Sequence, residues 1–216
     1  MGISTTWKKV LAALSAEELA FLEQHSATVR FEAKEMLFKQ GSFAVNCYII
    51  QEGFCKLTYA SGAKKRIVQV SKPGDIIGKD YEHLDYYPYS VYTMTPSKMI
   101  VIPMQTMVAL CEQNKEVQLL LSLYFRKIYT RVIAWVLNLQ FKNIEGAVAM
   151  FVLKYCVEDY KTVLLTREEI SDFVGYSRES VIHTLKRFEK DGLISIQKKN
   201  ISILEEAKLR DLVKFG

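Results

Sequence analysis

The stretch 164-LLTREEISDFVGYSRESVIHTLKRFEKDGLISIQKKNISIL-204 decides how this chain is read. Thr166 followed by Glu169 is a capping box, so the spacing predicts a helix from Arg167 that turns Ile170, Phe173 and Val174 inward. Gly175 ends that helix, because a residue without a Cβ enters a left-handed corner cheaply. Ser177 caps a second helix, on which Val181, Leu185 and Phe188 recur at i, i+4 and i+7 along one buried face. The opposite face then carries Arg178, Glu179, Ile182, His183 and Lys186. Asp191-Gly192 closes the helix, and the alternating runs 193–196 and 201–204 predict two strands joined through Lys198-Lys199-Asn200. A tight helical pair followed by a hairpin is the layout of a winged helix-turn-helix.

The outward set suits a helix whose first turns enter a DNA major groove. A guanidinium can bridge guanine O6 and N7, a carboxylate can accept from cytosine N4, and an exposed aliphatic group can meet a thymine methyl. Lys198 and Lys199 fall where a hairpin tip meets phosphate. The plainer alternative is a helical pair docked on another protein, with Arg178 and Lys186 as a solvated face. Order favours DNA, since the cap, glycine corner, polar face and basic hairpin follow one another as a reading head requires.

At this point the run EEISDFVGYSRESVIHTLKRFEKDGLI resembles the C-terminal domain of CRP/FNR-type bacterial transcription regulators. The resemblance implies base-reading positions at Arg178 and Glu179 and a phosphate-contacting one at Ser180. Ser177, Thr166, Ile182, Lys186, Lys198 and Lys199 complete the candidate DNA surface. The third base-reading position of the family motif is usually Arg, and here it is His183. A neutral imidazole offers one donor and one acceptor instead of a fork, which changes the base it can prefer.

With 216 residues, 50% hydrophobic and 25% charged, the chain has material for two modest cores. It shows no apolar run long enough to span a bilayer, and its start, MGISTTWKKVLAALS, lacks a signal peptide's apolar region and cleavage site. The expected location is the cytoplasm, with no membrane partner. The net charge of +5 is spread thinly: residues 162–216 hold ten basic against nine acidic side chains, so DNA affinity must come from a local patch. Cys47, Cys55, Cys111 and Cys156 form no CxxC pair, which favours buried reduced thiols over a metal site. Some relatives hold an iron-sulfur cluster on grouped N-terminal cysteines, and nothing here matches that grouping. Haem or another metal site has no signature among the scattered His25, His83 and His183. Absent, too, are a catalytic triad, paired-carboxylate motif or phosphate-binding glycine loop, so an enzyme is not expected.

Upstream, Ser15 and Glu18 make another capping box, opening a short helix to about His25. From Ala27 the texture alternates: TVRFE, EMLFK, CYIIQE, FCKLTY, RIVQV, SVYTM and KMIVIP are separated by Gly41, Gly53, Gly62, Gly74 and Pro96, which predicts a compact β-barrel or sandwich. The order KQG, YIIQEG, IVQVSKPGDIIGKD is similar to the β-roll of cyclic-nucleotide-binding domains, with Gly41, Gly53, Gly74, Asp75 and Gly78 on its turn positions. Nucleotide-binding members of that group hold the ribose with a Glu after the phosphate-loop glycine, and here the place is taken by Lys79. They neutralise the phosphate with an Arg about ten residues on, whereas this chain has no arginine between Arg66 and Arg126 and the position falls on Tyr87 or Tyr89. Hydroxyls set against the purine match Val132 and Ile133. A buried phosphate without its counter-charge is costly, so neither cAMP nor cGMP is expected. Gly78, Lys79, Tyr87, Tyr89, Ser90, Val132 and Ile133 mark the candidate effector pocket. Tyr81, Tyr86, Tyr87, Tyr89 and Tyr92, with Phe54, either line a site for a small apolar effector or pack on one another and leave none.

Between 115 and 139 the sequence holds neither Gly nor Pro and is apolar on more than one side, so the helix it predicts needs two partners. One is the roll; the other is its twin in a second subunit, as the resemblance also implies, or further parts of the same chain. The expected architecture is α+β: a cyclic-nucleotide-binding-like β-roll over 1–114, a long dimerisation helix over 115–142, and a winged helix-turn-helix over 143–216, with a short hinge at 143–145. The function read from this is a sequence-specific transcription regulator that binds an inverted-repeat duplex as a homodimer, with RNA polymerase as the partner that the resemblance implies. The alternative is an effector-binding module of the same shape that no longer binds DNA.

Overall fold

The computed structural model describes residues 5–78, 85–160 and 165–216. Its contacts divide the chain into two compact units, Met1–Lys64 with Val68–Val132, and Lys65–Ile67 with Ile133–Gly216.

The first unit opens with α1 (Thr5–Ala13) and α2 (Ala16–Gln24). The predicted box caps α2: Ser15 Oγ accepts from Glu18 N at 3.2 Å while Glu18 receives the Ser15 N–H at 2.7 Å. The opening helix α1 was not legible in the sequence, yet it buries Trp7 and Val10. The strands that follow among the described residues are β1 (Ala27–Phe31), β2 (Met36–Phe38), β3 (Asn46–Glu52), β4 (Cys55–Ser61), β5 (Lys64–Ser71), β6 (Ile76–Ile77), β7 (Ser90–Thr93) and β8 (Ser97–Pro103). They form two sheets, in the orders β1-β8-β3-β6 and β2-β7-β4-β5. All seven expected strand segments are present, and the short β6 is added to them.

The strand β3 shows why the roll needs helices on its back. Tyr48 and Ile50 join Phe38, Cys55, Leu57, Ile77, Tyr87, Val91 and Met99 in the core between the sheets. Cys47 and Ile49 point the other way, into a second core with Trp7, Val10, Leu22, Ile102, Met107 and Leu110. Each fully buried aliphatic side chain of this kind contributes about 1.5–3 kcal/mol. At the end of β3, Gly53 takes φ 86, and a Cβ there would sit 2.6 Å from the Pro96 carbonyl oxygen, so no other residue fits that corner.

After α3 (Met104–Gln113), the long helix α4 (Lys115–Gln140) lays Val117, Leu121, Tyr124 and Phe125 on the second core. Tyr124 also makes a polar link. Its hydroxyl accepts from Ile76 N at 2.9 Å and donates to Asp75 Oδ1 at 3.4 Å, while Asp75 Oδ2 accepts from Lys72 N at 2.9 Å. Burial pushes the Asp75 carboxyl above the usual aspartate range, although the Lys72 N–H and charge, the Tyr124 hydroxyl and the Arg131 charge all pull it down. A group with a raised folded pKa favours folding while it is protonated; that contribution is full below the unfolded pKa and is lost as pH rises through the folded one. The Asp75→Asn variant keeps an acceptor but cannot ionise. Its stability relative to wild type, read from urea midpoints, is therefore expected to grow from about pH 4 upward and then level off. A relative stability that shrinks with rising pH would mean that the carboxylate is favourably held.

The face of α4 opposite these contacts is left uncovered. Leu119, Leu123, Ile133 and Leu137 are 58, 42, 56 and 49% exposed.

In the second unit, α5 (Ile144–Tyr155), α6 (Arg167–Val174), α7 (Arg178–Lys190) and α8 (Glu206–Phe215) surround the hairpin β9 (Ile194–Gln197) and β10 (Asn200–Ile203). The expected hinge at 143–145 is instead a helix start. Asn143 Oδ1 accepts from Gly146 N at 2.9 Å, so Asn143 is the cap and Glu145 lies in the first turn of α5. The core holds Phe151, Tyr155 and Phe173, with Trp135 edge-on to Tyr155 and Phe173 at 6.0 and 6.4 Å. The Lys154 ammonium lies 4.0 Å from the Trp135 ring centroid, a cation over an electron-rich face. Helix α8 was also unforeseen. It packs on α5 through the fully buried Leu209, and a Cβ on Gly146 would lie 3.1 Å from the Leu212 carbonyl oxygen, so the small residue admits the close approach. Among the described residues no helix is long and apolar enough to cross a membrane.

Candidate nucleic-acid interface

The reading head is built by its caps. Thr166 Oγ1 accepts from Glu169 N at 3.2 Å and donates to Glu169 Oε2 at 2.9 Å, so this hydroxyl is committed to starting α6. Gly175 then turns the chain at φ 83, with its N–H on the Ser171 carbonyl at 2.8 Å. Two further bonds fix the corner: Ser171 Oγ donates to the Tyr176 carbonyl at 2.6 Å, and the Tyr176 hydroxyl donates to the Lys142 carbonyl at 2.7 Å. Ser177 Oγ accepts from Ser180 N at 3.2 Å and starts α7.

Helix α7 buries Val181, Leu185 and Phe188, as its periodicity predicts, and also Thr184, whose Oγ1 is turned back to the Ser180 carbonyl at 2.9 Å. Ser177, Arg178, Glu179, Ser180, His183 and Lys186 are all exposed, and Ile182 is half-buried at the edge of the same face. The structure thus gathers the candidate side chains of α7 on one surface. At the wing, β9 pairs with β10 in the register Gln197↔Asn200, one residue earlier than expected for β10 and one later for β9. The loop is therefore two residues long, Lys198-Lys199, and Lys198 takes a left-handed φ of 58 to close it. Both lysines are exposed.

Three contacts that hold this surface in place have no simple sequence signature. Arg187 forms an ion pair with Glu145 of α5, so one of the four basic residues of the 177–190 segment is spent inside the protein. Glu189 Oε1 accepts from Ile196 N at 3.0 Å, tying the end of α7 to the wing. The Tyr176 bond to the Lys142 carbonyl anchors the corner itself. The first and third join residues 42 and 34 positions apart, and none of the three follows a spacing rule for a helix or a hairpin.

In the roll, the candidate effector positions have mixed surroundings. Lys79 and Tyr81 lie outside the described residues. Gly78 takes φ 90, with room for no Cβ beside the Asn46 carbonyl oxygen at 2.8 Å. Tyr87 is 2% exposed, its ring stacked on Phe38 with centroids 3.8 Å apart. Its hydroxyl donates to the Asn46 carbonyl at 2.7 Å and accepts from Asn46 N at 2.9 Å, and burial pushes it up to about 12. Tyr89 tilts on the same Phe38 ring at 5.9 Å, while Ser90 Oγ accepts from Gln40 N at 2.9 Å. Tyr86 is separate, stacked on Phe43 at the surface. Val132 is half-buried, and Ile133 is exposed on the uncovered side of α4. Cys47, Cys55 and Cys111 are buried and Cys156 half-buried, all as free thiols, and burial pushes Cys55 and Cys156 up to about 12.

A capped helical pair with a left-handed glycine corner and a basic wing, in one chain with a two-sheet roll, defines a helix-turn-helix regulator with a sensor-type domain. Comparison with known proteins places it further: residues 28–114 match the cyclic nucleotide-binding domain and residues 130–212 the Crp-like helix-turn-helix domain. The chain belongs to the CRP/FNR family of transcription regulators, a family of DNA-binding proteins and not of enzymes. It is 23% identical to the transcriptional activator protein anr of Pseudomonas aeruginosa over 81% of this chain and 75% of that one. It is 26% identical to the cAMP-activated global transcriptional regulator CRP of Escherichia coli O6:H1, over 86% of this chain and 93% of that one. Among solved structures, a CRP/FNR-family regulator from Eubacterium rectale superposes with a TM-score of 0.79 at 14% identity, covering 98% of this chain and 99% of that one. FixK2 from Bradyrhizobium japonicum does so at 0.77 and 16% identity, over 87% and 96%.

Proposed function

We propose that this regulator binds an inverted-repeat DNA site as a homodimer and that its roll does not take a cyclic nucleotide. The carrying observation is the polar outward face of α7, where Arg178, Glu179 and His183 stand exposed over a mainly apolar rear. Ser177, Ser180, Lys198 and Lys199 supply phosphate contacts, and Lys186 adds charge further along the groove. Thr166 contributes through its cap, which fixes the start of α6.

The dimer reading is supported by α4. Leu119, Leu123, Arg126, Thr130, Ile133 and Leu137 follow one another at steps of 4, 3, 4, 3 and 4, the spacing of a coiled-coil seam, on the side away from the helix's own core. A second copy paired along that seam gives a two-fold molecule whose reading heads match half-sites about 34 Å apart. A DNA-bound regulator of this family works in the cytoplasm beside RNA polymerase, the partner that we assign to it.

Against a cyclic nucleotide stands the position expected to carry the phosphate's counter-charge, Tyr87 or Tyr89, since both rings pack on Phe38 and neither brings a positive charge. No arginine is present from 67 to 125 to supply one. The effector, if the roll takes one, is then a small molecule of another kind.

The test is selection from random duplexes with purified full-length protein, followed by sedimentation of the complex. An enriched palindrome bound by two chains is the expected result; no enrichment above background would sink the proposal. In the selected site, His183→Arg is expected to shift base preference at one symmetric position, whereas Lys199→Ala weakens all duplexes alike. Equal loss on every sequence for His183→Arg would refute a base-reading role.

A further inference from the structure

The uncovered stripe of α4 changes character halfway along. Leu119 and Leu123 lie on one side and Ile133 and Leu137 on the other, but the two positions between them are Arg126 and Thr130, both exposed. The Thr130 hydroxyl already donates to the Arg126 carbonyl at 2.9 Å, so the polar demand of this layer falls on the guanidinium. Arg126 has no ion-pair or hydrogen-bond partner for its side chain among the described residues. Lys127, exposed as well, is its neighbour in the chain, and no Asp or Glu occurs from Val117 to Ile144.

Pairing two copies in parallel along this stripe sets each seam residue opposite its twin. Leucine and isoleucine gain by that. Two Arg126 guanidiniums do not, since they repel at close range in a seam that is losing water, and neither helix offers a carboxylate nearby. Each guanidinium presents a planar fork of N–H donors, and an oxyanion held between two such forks accepts from both and cancels their repulsion.

We infer that the middle of the α4 seam is an anion site that exists only in the dimer, with a phosphate-type dianion held between the two Arg126 side chains and Lys127 at its margin. The inference rests on the dimer reading given above. It makes association conditional: the apolar ends of the seam supply the attraction, and the anion removes the obstacle between them.

The experiment is sedimentation of the full chain over a concentration series in sodium chloride and in sodium phosphate at matched ionic strength. Inorganic phosphate is expected to lower the dimer dissociation constant about tenfold or more, the scale of one added charge-assisted bond. Arg126→Leu is expected to dimerise in chloride as tightly as wild type does in phosphate, and to ignore phosphate. A wild-type dimer indifferent to phosphate, or an Arg126→Leu dimer weaker than wild type, overturns the anion site and leaves the dimer standing. Chains that stay monomeric in both buffers, wild type and Arg126→Leu alike, overturn the dimer reading and this site with it. The wild-type comparison needs no variant, and circular dichroism of Arg126→Leu checks that the substitution has not unfolded α4.

Discussion

Arg178→Ala is expected to weaken binding to the selected duplex by about 1–3 kcal/mol, roughly five- to 150-fold, and to relax specificity at the base pair it reads. Arg178 is the first residue of α7, exposed and free of any ion pair among the described residues. Its fork is thus available to a guanine edge at no cost to the protein's own contacts. Arg187, near the other end of the same helix, makes the contrast: its charge is committed to Glu145. Arg187→Ala is therefore expected to leave base preference unchanged, with whatever loss it causes shared by all duplexes. Titration of labelled selected and scrambled duplexes separates these outcomes. An Arg178→Ala loss of the same size on both duplexes would remove it from the base readers and make it a phosphate contact.

Tyr87→Ala is expected to lower the stability of the roll by about 3–5 kcal/mol, the range for truncating a large buried ring. Tyr87 is nearly inaccessible, stacked on Phe38 and doubly bonded to the Asn46 backbone. Tyr87→Phe keeps the stack and loses both bonds, so about 1–3 kcal/mol is expected there. Thermal unfolding measures both. The alanine variant carries a further expectation. It opens a ring-sized void in the roll, so phenol should raise its melting temperature while leaving wild type unmoved. Equal stabilisation of wild type would mean that the seat beside Phe38 is open after all, and the case against a ligand there would fail.

What was legible in the sequence depended on whether the signal was local. Both capping boxes, the Gly175 corner and the buried set of α7 were readable, because each is a relation between residues a few positions apart. The wing slipped by one residue at each strand because the left-handed turn is closed by Lys198, where spacing rules look for glycine or asparagine. The hinge expected at 143–145 became a helix start because Asn143 reads equally well as a loop residue or a cap until its Gly146 partner is seen. Helix α1 was hidden by a mixed polar start, and α8 by a charged surface with only Leu209 wholly buried. The tyrosines of the roll allowed two arrangements on paper. For Tyr87 the outcome turned on Phe38 and Asn46, some forty to fifty residues distant in the chain, and no pattern of spacing announces such a meeting. The same holds for the Arg187 to Glu145 pair.

The strand β3 carries apolar side chains to both of its sides, and this has a bearing on how the roll finds its native pairing. In a sheet with one wet face, a slip by one residue is rejected at once, since polar groups would be driven inside. Here Cys47, Tyr48, Ile49 and Ile50 would remain among hydrocarbon after such a slip, and polarity does not discriminate against it. Correct alignment must be policed at the strand's two ends: at one by Asn46, gripped through its backbone by the Tyr87 hydroxyl, and at the other by Gly53, which alone can pass under Pro96. Lesions at those termini should accordingly produce misaligned, slowly refolding molecules, whereas trimming a methyl group from the middle of the strand merely loosens a correctly threaded one.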